Sequence, residues 1–321
     1  MNSGRIKYFS AALFSVVIWG FFSIPLREIQ DYPSEQILYY RILTSLLITW
    51  IYIALFQRKK LQTDLSFLKT EERPSRNRII FLSILTGILI TGNWFTYIYA
   101  VNNVNLKSAA FAYMVCPLIT AFGGFLILKE KLSGLKLIAL GVASISIAIL
   151  AQGSVRDVTW SVVVASFYSF YLIAQKVIVR IDKFNMLGFQ LIVAVIILLP
   201  FYIHDFTSVP ADPYFWFIIV VISVVFTIIP LYLSLYALSG MPSSTLGIII
   251  YINPIVAFAV AFFYFHEGIS IYQLYAYLLL FAAVIVFNLD IIKEIFFKVP
   301  ANNSPGISLN PIDRSDLKNP D

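Results

Sequence analysis

One arginine stands inside an apolar run, and it is the residue with the plainest chemistry to offer. Arg41 lies in "EQILYYRILTS", five residues beyond Gln36. At 1.5 Å per residue that is about 7–8 Å into a helix starting at Gln36. A guanidinium keeps its charge, and its planar fork of N–H donors fits a carboxylate or a phosphate. At the centre of a membrane helix such a charge costs about 2.5–3.5 kcal/mol, and less toward the edge. Two explanations therefore compete. Arg41 snorkels to the headgroups or pairs with Glu35, which is off the favourable three- and four-residue spacings. Alternatively it faces a cavity and binds an anionic or zwitterionic substrate there.

Other polar and aromatic residues fall deep in apolar runs. "TGNWFTYIYAVNN" places Asn93 and Tyr97 on one helical face, with Thr86 seven residues before Asn93. "IIYINPI" places Asn253 beside Pro254. Trp19, Trp94, Tyr113, Tyr168 and Tyr251 add aromatic surface. Aromatic walls with few polar groups suit organic ligands better than bare ions. The competing reading is hydrogen-bonding glue between helices, with aromatics at the membrane interfaces.

A third set is written twice. "AYMVCPLITAFGGFLILKEKLS" (112–133) and "IIYINPIVAFAVAFFYFHEGIS" (249–270) both carry Pro, Glu and Ser at the same spacing. Pro117, Glu130 and Ser133 match Pro254, Glu267 and Ser270, each pair 137 residues apart. Thr86 and Tyr99 match Ser223 and Tyr236 at the same offset, and a weaker match at 149 pairs Trp19 with Tyr168. A proline removes one backbone hydrogen bond and bends a helix. Pro117 and Pro254 are thus read as hinges of cavity-lining helices, with a purely structural kink as the alternative. The serines suit N-caps of the helices that follow. Glu130 and Glu267 are placed at wet membrane edges, as structural residues rather than gates or proton sites. Two stripes of small residues, Ala109, Ala112, Cys116, Thr120 and Gly124, then Gly141, Ser144 and Ala148, read as packing seams.

The elements that carry these residues follow from composition. The 321 residues are 60% hydrophobic and 12% charged, against about 25% charged in an average soluble domain. Ten apolar segments are long enough to span a bilayer: 8–27, 36–56, 78–101, 108–128, 133–151, 157–178, 186–203, 213–238, 244–265 and 271–292. The connector 57–77 is either a flexible loop or a small surface helix carrying Leu61, Leu65 and Leu68. The tail 298–321 reads as a disordered cytoplasmic tail. With the N-terminus in the cytoplasm, the cytoplasmic segments hold 19 Lys and Arg and the outer segments 3, so both termini are expected inside. The predicted fold is an all-α polytopic membrane protein of ten helices in two inverted five-helix repeats, 8–151 and 157–292. Inverted repeats are a hallmark of transporters.

The same composition argues against other classes. No metal or cofactor signature occurs: there is one cysteine, two histidines, no HExxH, no CxxC and no phosphate-binding loop. The net charge of +6 is scattered between apolar runs rather than gathered on a nucleic-acid face. None of the 17 acidic residues falls near mid-span, the nearest being Glu35 and Asp290 at span ends. No proton carrier is therefore legible. An intramembrane enzyme would need clustered nucleophile, base or metal at depth, and the sequence offers none.

"SVVIWGFFSIPL", "EQILYYRILTS", "NWFTYIYAVNNVNLKSAAFAYMVCPL", "LKEKLS" and "STLGIIIYINPI" together resemble the RarD-like permeases, in the EamA branch of the drug/metabolite transporter superfamily. The resemblance covers about residues 8–292. It implies ten helices, two EamA repeats, a central cavity, and import or export of a small organic molecule through the cytoplasmic (inner) membrane. It also favours the cavity for Arg41. The family often has His where this chain has Tyr40, and Asn where it has Cys116. The substrate-binding set expected is Trp19, Arg41, Asn93, Trp94, Tyr97, Tyr113, Tyr168, Tyr251 and Asn253. The expected partners are a small-molecule substrate and the lipid bilayer, without nucleic acid or cofactor; homodimerisation stays open. A membrane pore or scaffold is the alternative function.

Overall fold

The computed structural model describes residues 3–103, 106–130, 132–150, 155–178, 180–204, 209–266 and 271–289. Glu267, Ser270, Asp290 and the tail 298–321 lie outside the described residues, which form helices and no strands. In chain order the helices are α1 (Ser3–Gly20), α2 (Ser23–Glu28), α3 (Ser34–Phe56), α4 (Arg58–Thr70), α5 (Arg73–Asn103), α6 (Leu106–Leu128) and α7 (Gly134–Leu150). The second half holds α8 (Val155–Val177), α9 (Lys183–His204), α10 (Pro213–Ser223), α11 (Ile229–Gly240), α12 (Ser243–Ile249), α13 (Ile252–Phe263) and α14 (Ile271–Phe287). Among the described residues five segments are long and apolar enough to cross a bilayer: Ile6–Glu28, Glu35–Phe56, Arg73–Tyr97, Lys183–His204 and Pro213–Gly240. Shorter apolar helices accompany them.

Helix boundaries repeat at fixed offsets. The described residues of α5 and α11 run to 103 and 240, those of α6 and α12 begin at 106 and 243, and those of α7 and α14 begin at 134 and 271, in keeping with the 137-residue offset. The starts of α3 and α9 (34, 183) differ by 149. The lost 149 − 137 = 12 residues come from the connector that carries α4, for which the second half has no counterpart helix among its described residues. Contacts repeat as well. α5 packs on α8 as α11 packs on α1, and α6 on α8 as α13 on α1, while α3 meets α9 and α7 meets α14 across the halves. Lys129 and His266, again 137 apart, both adopt left-handed backbone with φ of 54°. That conformation is uncommon outside glycine, and here it follows the matched helices, directly after α6 and three residues after α13.

Four expectations change in detail. The segment 213–238 is not one regular helix, because a π-helical turn (Val224–Ile228) separates α10 from α11. Pro230 begins the next helix and cannot donate to Phe226 O; the Trp19 indole N–H donates to that carbonyl instead, at 3.0 Å. The segment 244–265 breaks at Ile250–Tyr251, ahead of Pro254, which sits in the first turn of α13 where proline costs little. α6 runs through Pro117 without interruption. The Gly141, Ser144 and Ala148 stripe is exposed among the described residues, where α7 buries Ala139, Ala143 and Ile147 instead.

The connector 57–77 carries the helix α4 (Arg58–Thr70) rather than a plain loop, and its last residues open α5. It turns Phe67 and Leu68 toward Ile178, Ile181 and Met186. Leu65 points out, and Asp64 points in, buried to 6%. Its carboxylate accepts from Asn185 Nδ2 at 2.6 Å and Asp182 N at 3.2 Å, at the start of α9. A polar anchor at a helix N-terminus has displaced an apolar one.

Candidate substrate site

Arg41 is the centre of the site. α3 carries it between two aromatic faces: its guanidinium carbon lies 5.5 Å from the Trp94 ring and 5.8 Å from the Phe22 ring. Such distances favour attraction between the cation and the ring quadrupoles. Two hydroxyls fix the backbone here, with Ser45 Oγ and Ser223 Oγ donating to Arg41 O at 2.7 and 3.0 Å. The side chain is otherwise underused. Its Nε is fully buried and has no hydrogen-bond partner. Among the described residues no carboxylate pairs with it, Glu35 included. Pairing with Glu35 is thus not what the side chain does.

An aromatic row continues from Arg41. Tyr97 and Tyr113, both beside Arg41, have ring centroids 5.6 Å apart. Tyr113 meets Tyr168 edge-on at 6.4 Å, and Tyr168 meets Trp19 edge-on at 6.0 Å. Trp19 and Tyr168 are the pair matched at offset 149, so equivalent residues of the two halves touch each other. Each position traces to helical spacing: Trp94 and Tyr97 are three apart on α5, one face of a helix.

The structure brings together Trp19, Arg41, Trp94, Tyr97, Tyr113 and Tyr168 of the expected set. It places the other three differently. The Asn93 amide donates to Val164 O at 3.0 Å and is buried to 2%, so it ties α5 to α8. Thr86 likewise accepts from Gln190 Nε2 at 3.0 Å, across to α9. Tyr251 is fully buried in a second core cluster with Met114, Ala121 and Ile248. Asn253 lies where α13 crosses α1, its carbonyl beside Gly20. Phe22 was missed in sequence, because a phenylalanine in an apolar run carries no signal.

A second polar cluster ties the halves together. Glu130 is buried to 3%, not at a wet edge. Its Oε1 accepts from Ser243 N at 2.7 Å and Ser243 Oγ at 2.8 Å, and its Oε2 accepts from Ser244 N at 3.0 Å. A carboxylate of the first half thereby caps α12 of the second. Gly124 makes room: a Cβ there would sit 2.7 Å from Glu130 Oε2. One turn deeper, a Cβ on Gly247 would sit 2.7 Å from Thr120 Cβ. The Cys116, Thr120 and Gly124 stripe is therefore a seam, against α8 and α12. Lys176 holds the approach to α12, donating to Leu238 O at 2.8 Å and Met241 O at 2.7 Å. Ser133 Oγ caps α7 as expected, accepting from Lys136 N at 3.5 Å.

Comparison with known proteins adds a family to this geometry. The model of the EamA-like transporter family matches residues 6–152 and again 156–289. The uncharacterized transporter YojE of Bacillus subtilis is 28% identical over 87% of this chain and 92% of its own length. The uncharacterized transporter PA0485 of Pseudomonas aeruginosa is also 28% identical, with the same coverage. Protein RarD of Escherichia coli is 23% identical over 88% of this chain and 93% of its own. A solved crystal structure superposes with a TM-score of 0.71 at 17% identity, covering 89% of this chain and 98% of its own, and it speaks to the fold alone.

Proposed function

We propose that this chain, which belongs to the EamA-like transporter family, carries a small organic metabolite or drug across the cytoplasmic membrane by alternating access. The two repeats, about 8–151 and 157–292, form ten spans and enter the membrane in opposite senses, with both termini in the cytoplasm. Substrate binds between them, on Arg41, Trp94, Tyr97, Tyr113, Tyr168 and Trp19. Asn93, Tyr251 and Asn253 shape this centre, and the missing backbone bond at Pro117 and the break ahead of Pro254 let its walls move.

The observation that carries the reading is the Trp19–Tyr168 contact beside Arg41. Equivalent residues can touch only near the axis relating the halves, and a site on that axis can be exposed to either side in turn. Glu130 capping α12 fits a gate shut on the cytoplasmic face, since it joins the halves at the end where the lysines lie. Opening that face breaks the cap and leaves each half intact.

The test uses purified protein in proteoliposomes with a panel of labelled anionic, neutral and cationic metabolites. Saturable uptake stimulated by unlabelled substrate inside the vesicle is expected, because a carrier returns loaded. Non-saturable flux without such stimulation would indicate a pore, and no flux of any compound would favour a scaffold.

A further inference from the structure

We infer that the transported molecule is an organic anion, held by its carboxylate or phosphate on Arg41 with its apolar body along the aromatic row. The inference rests on the permease reading for its setting, but its argument is electrostatic. A guanidinium inside a membrane domain needs a counter-charge, since an uncompensated buried charge is strongly destabilising. Proteins normally supply an Asp or Glu. Here none does so among the described residues, and the buried Nε has no acceptor at all. The neighbours are instead Trp94, Phe22, Tyr97 and Tyr113. Ring faces soften the cost of the charge without neutralising it. They also leave the guanidinium's hydrogen-bond capacity unspent.

A site so built rejects cations by repulsion. It binds neutral molecules without satisfying the arginine. An anion contributes what the fold withholds, a charge-assisted and potentially bidentate pair. Its apolar part meets Trp94, then Tyr97, Tyr113, Tyr168 and Trp19. The ligand-free protein thus stores a destabilising charge that substrate relieves, which turns anion binding into a stabilising event.

That property separates this role from a structural one. A structural arginine, once removed, lowers thermal stability. An arginine awaiting a counter-ion, replaced by a neutral residue of similar length, raises the stability of the ligand-free protein. The experiment compares parent, Arg41→Gln and Arg41→Lys in detergent by thermal unfolding and by tryptophan fluorescence, since Trp94 and Trp19 report on the row. The probes are benzoate, phenyl phosphate, benzamide and benzylamine. The expected result is that benzoate or phenyl phosphate stabilises the parent and binds at least about tenfold more tightly than benzamide or benzylamine, as one charged hydrogen bond implies. Arg41→Gln should melt no lower than the parent and lose the anion preference. Arg41→Lys, with its charge but no fork, should keep part of it. Equal binding of benzamide and benzoate overturns the inference, as does full anion affinity in Arg41→Gln or no anion binding at millimolar probe. The permease reading is judged separately in proteoliposomes. Uptake confined to neutral or cationic compounds sinks the anion and spares the carrier. Arg41-dependent benzoate binding without flux of any compound does the reverse.

Discussion

Replacing Glu130 by glutamine should loosen the contact between the two halves while leaving each half folded. The carboxylate accepts three hydrogen bonds, two on Oε1 and one on Oε2, all from the N-terminus of α12. An amide keeps one acceptor. Whichever way it is turned, its NH2 faces at least one backbone N–H that has lost its partner. A hydrogen bond to a charged group contributes about 1.5–3 kcal/mol. Losing one therefore shifts the closed-to-open equilibrium by about 10- to 150-fold, at 1.4 kcal/mol per factor of ten. The readout is built in. Cys116 is the sole cysteine of the sequence and is fully buried on the same face of α6 as Thr120 and Gly124. Its thiol is covered by Ser169 Oγ at 3.3 Å and lies on the seam that α12 closes. A maleimide reaches it only when the seam opens, so the labelling rate follows the open population. Glu130→Gln should label faster by at least about tenfold, and Gly124→Ala should imitate it by displacing the carboxylate without removing its charge. Labelling within about twofold of the parent, in protein that still unfolds cooperatively, would refute the latch and leave Glu130 a helix cap and nothing more.

Three further outcomes are expected. Pro254→Ala should express normally, because the proline lies in the first turn of α13, yet slow transport by filling in the helix break beside it; a normal rate would make Pro254 dispensable. A reporter active only in the cytoplasm should work when fused after residue 292 and be silent at Gly268, and the same side for both would end the inverted ten-span arrangement. Trp19→Phe should lower the melting temperature, since it removes the donor to Phe226 O at the cost of about 1–3 kcal/mol for an unsatisfied buried group; an unchanged melting temperature would mean that water or the π-helical turn satisfies that carbonyl.

What the sequence disclosed follows from which physical signals are local. Helix positions were legible because apolar segments of membrane length are local in sequence: the expected segments fall on helices to within a few residues, five of them long and apolar enough to cross a bilayer among the described residues. The offset of 137 was legible because Pro, Glu and Ser mark helix interior, end and start, and the helix boundaries keep that offset. Asn93 was misplaced for an instructive reason. A mid-span amide looks alike whether it faces a ligand or a neighbouring carbonyl, and only the packing of α5 on α8 decides. Breaks in the second half show the same limit. Pro230 signals a lost N–H, but nothing nearby in sequence says that an indole 211 residues earlier supplies the replacement donor. Glu130 is the sharpest case. Its local context, just ahead of a serine cap, placed it at a wet surface, whereas its partners are the backbone of residues 113 and 114 positions away. Arg41 differs, because a permanent charge in an apolar run must reach water, headgroups or a counter-charge wherever the chain folds. The fold surrounds it with rings and gives it no carboxylate among the described residues, which is why the partner proposed for it comes from solution.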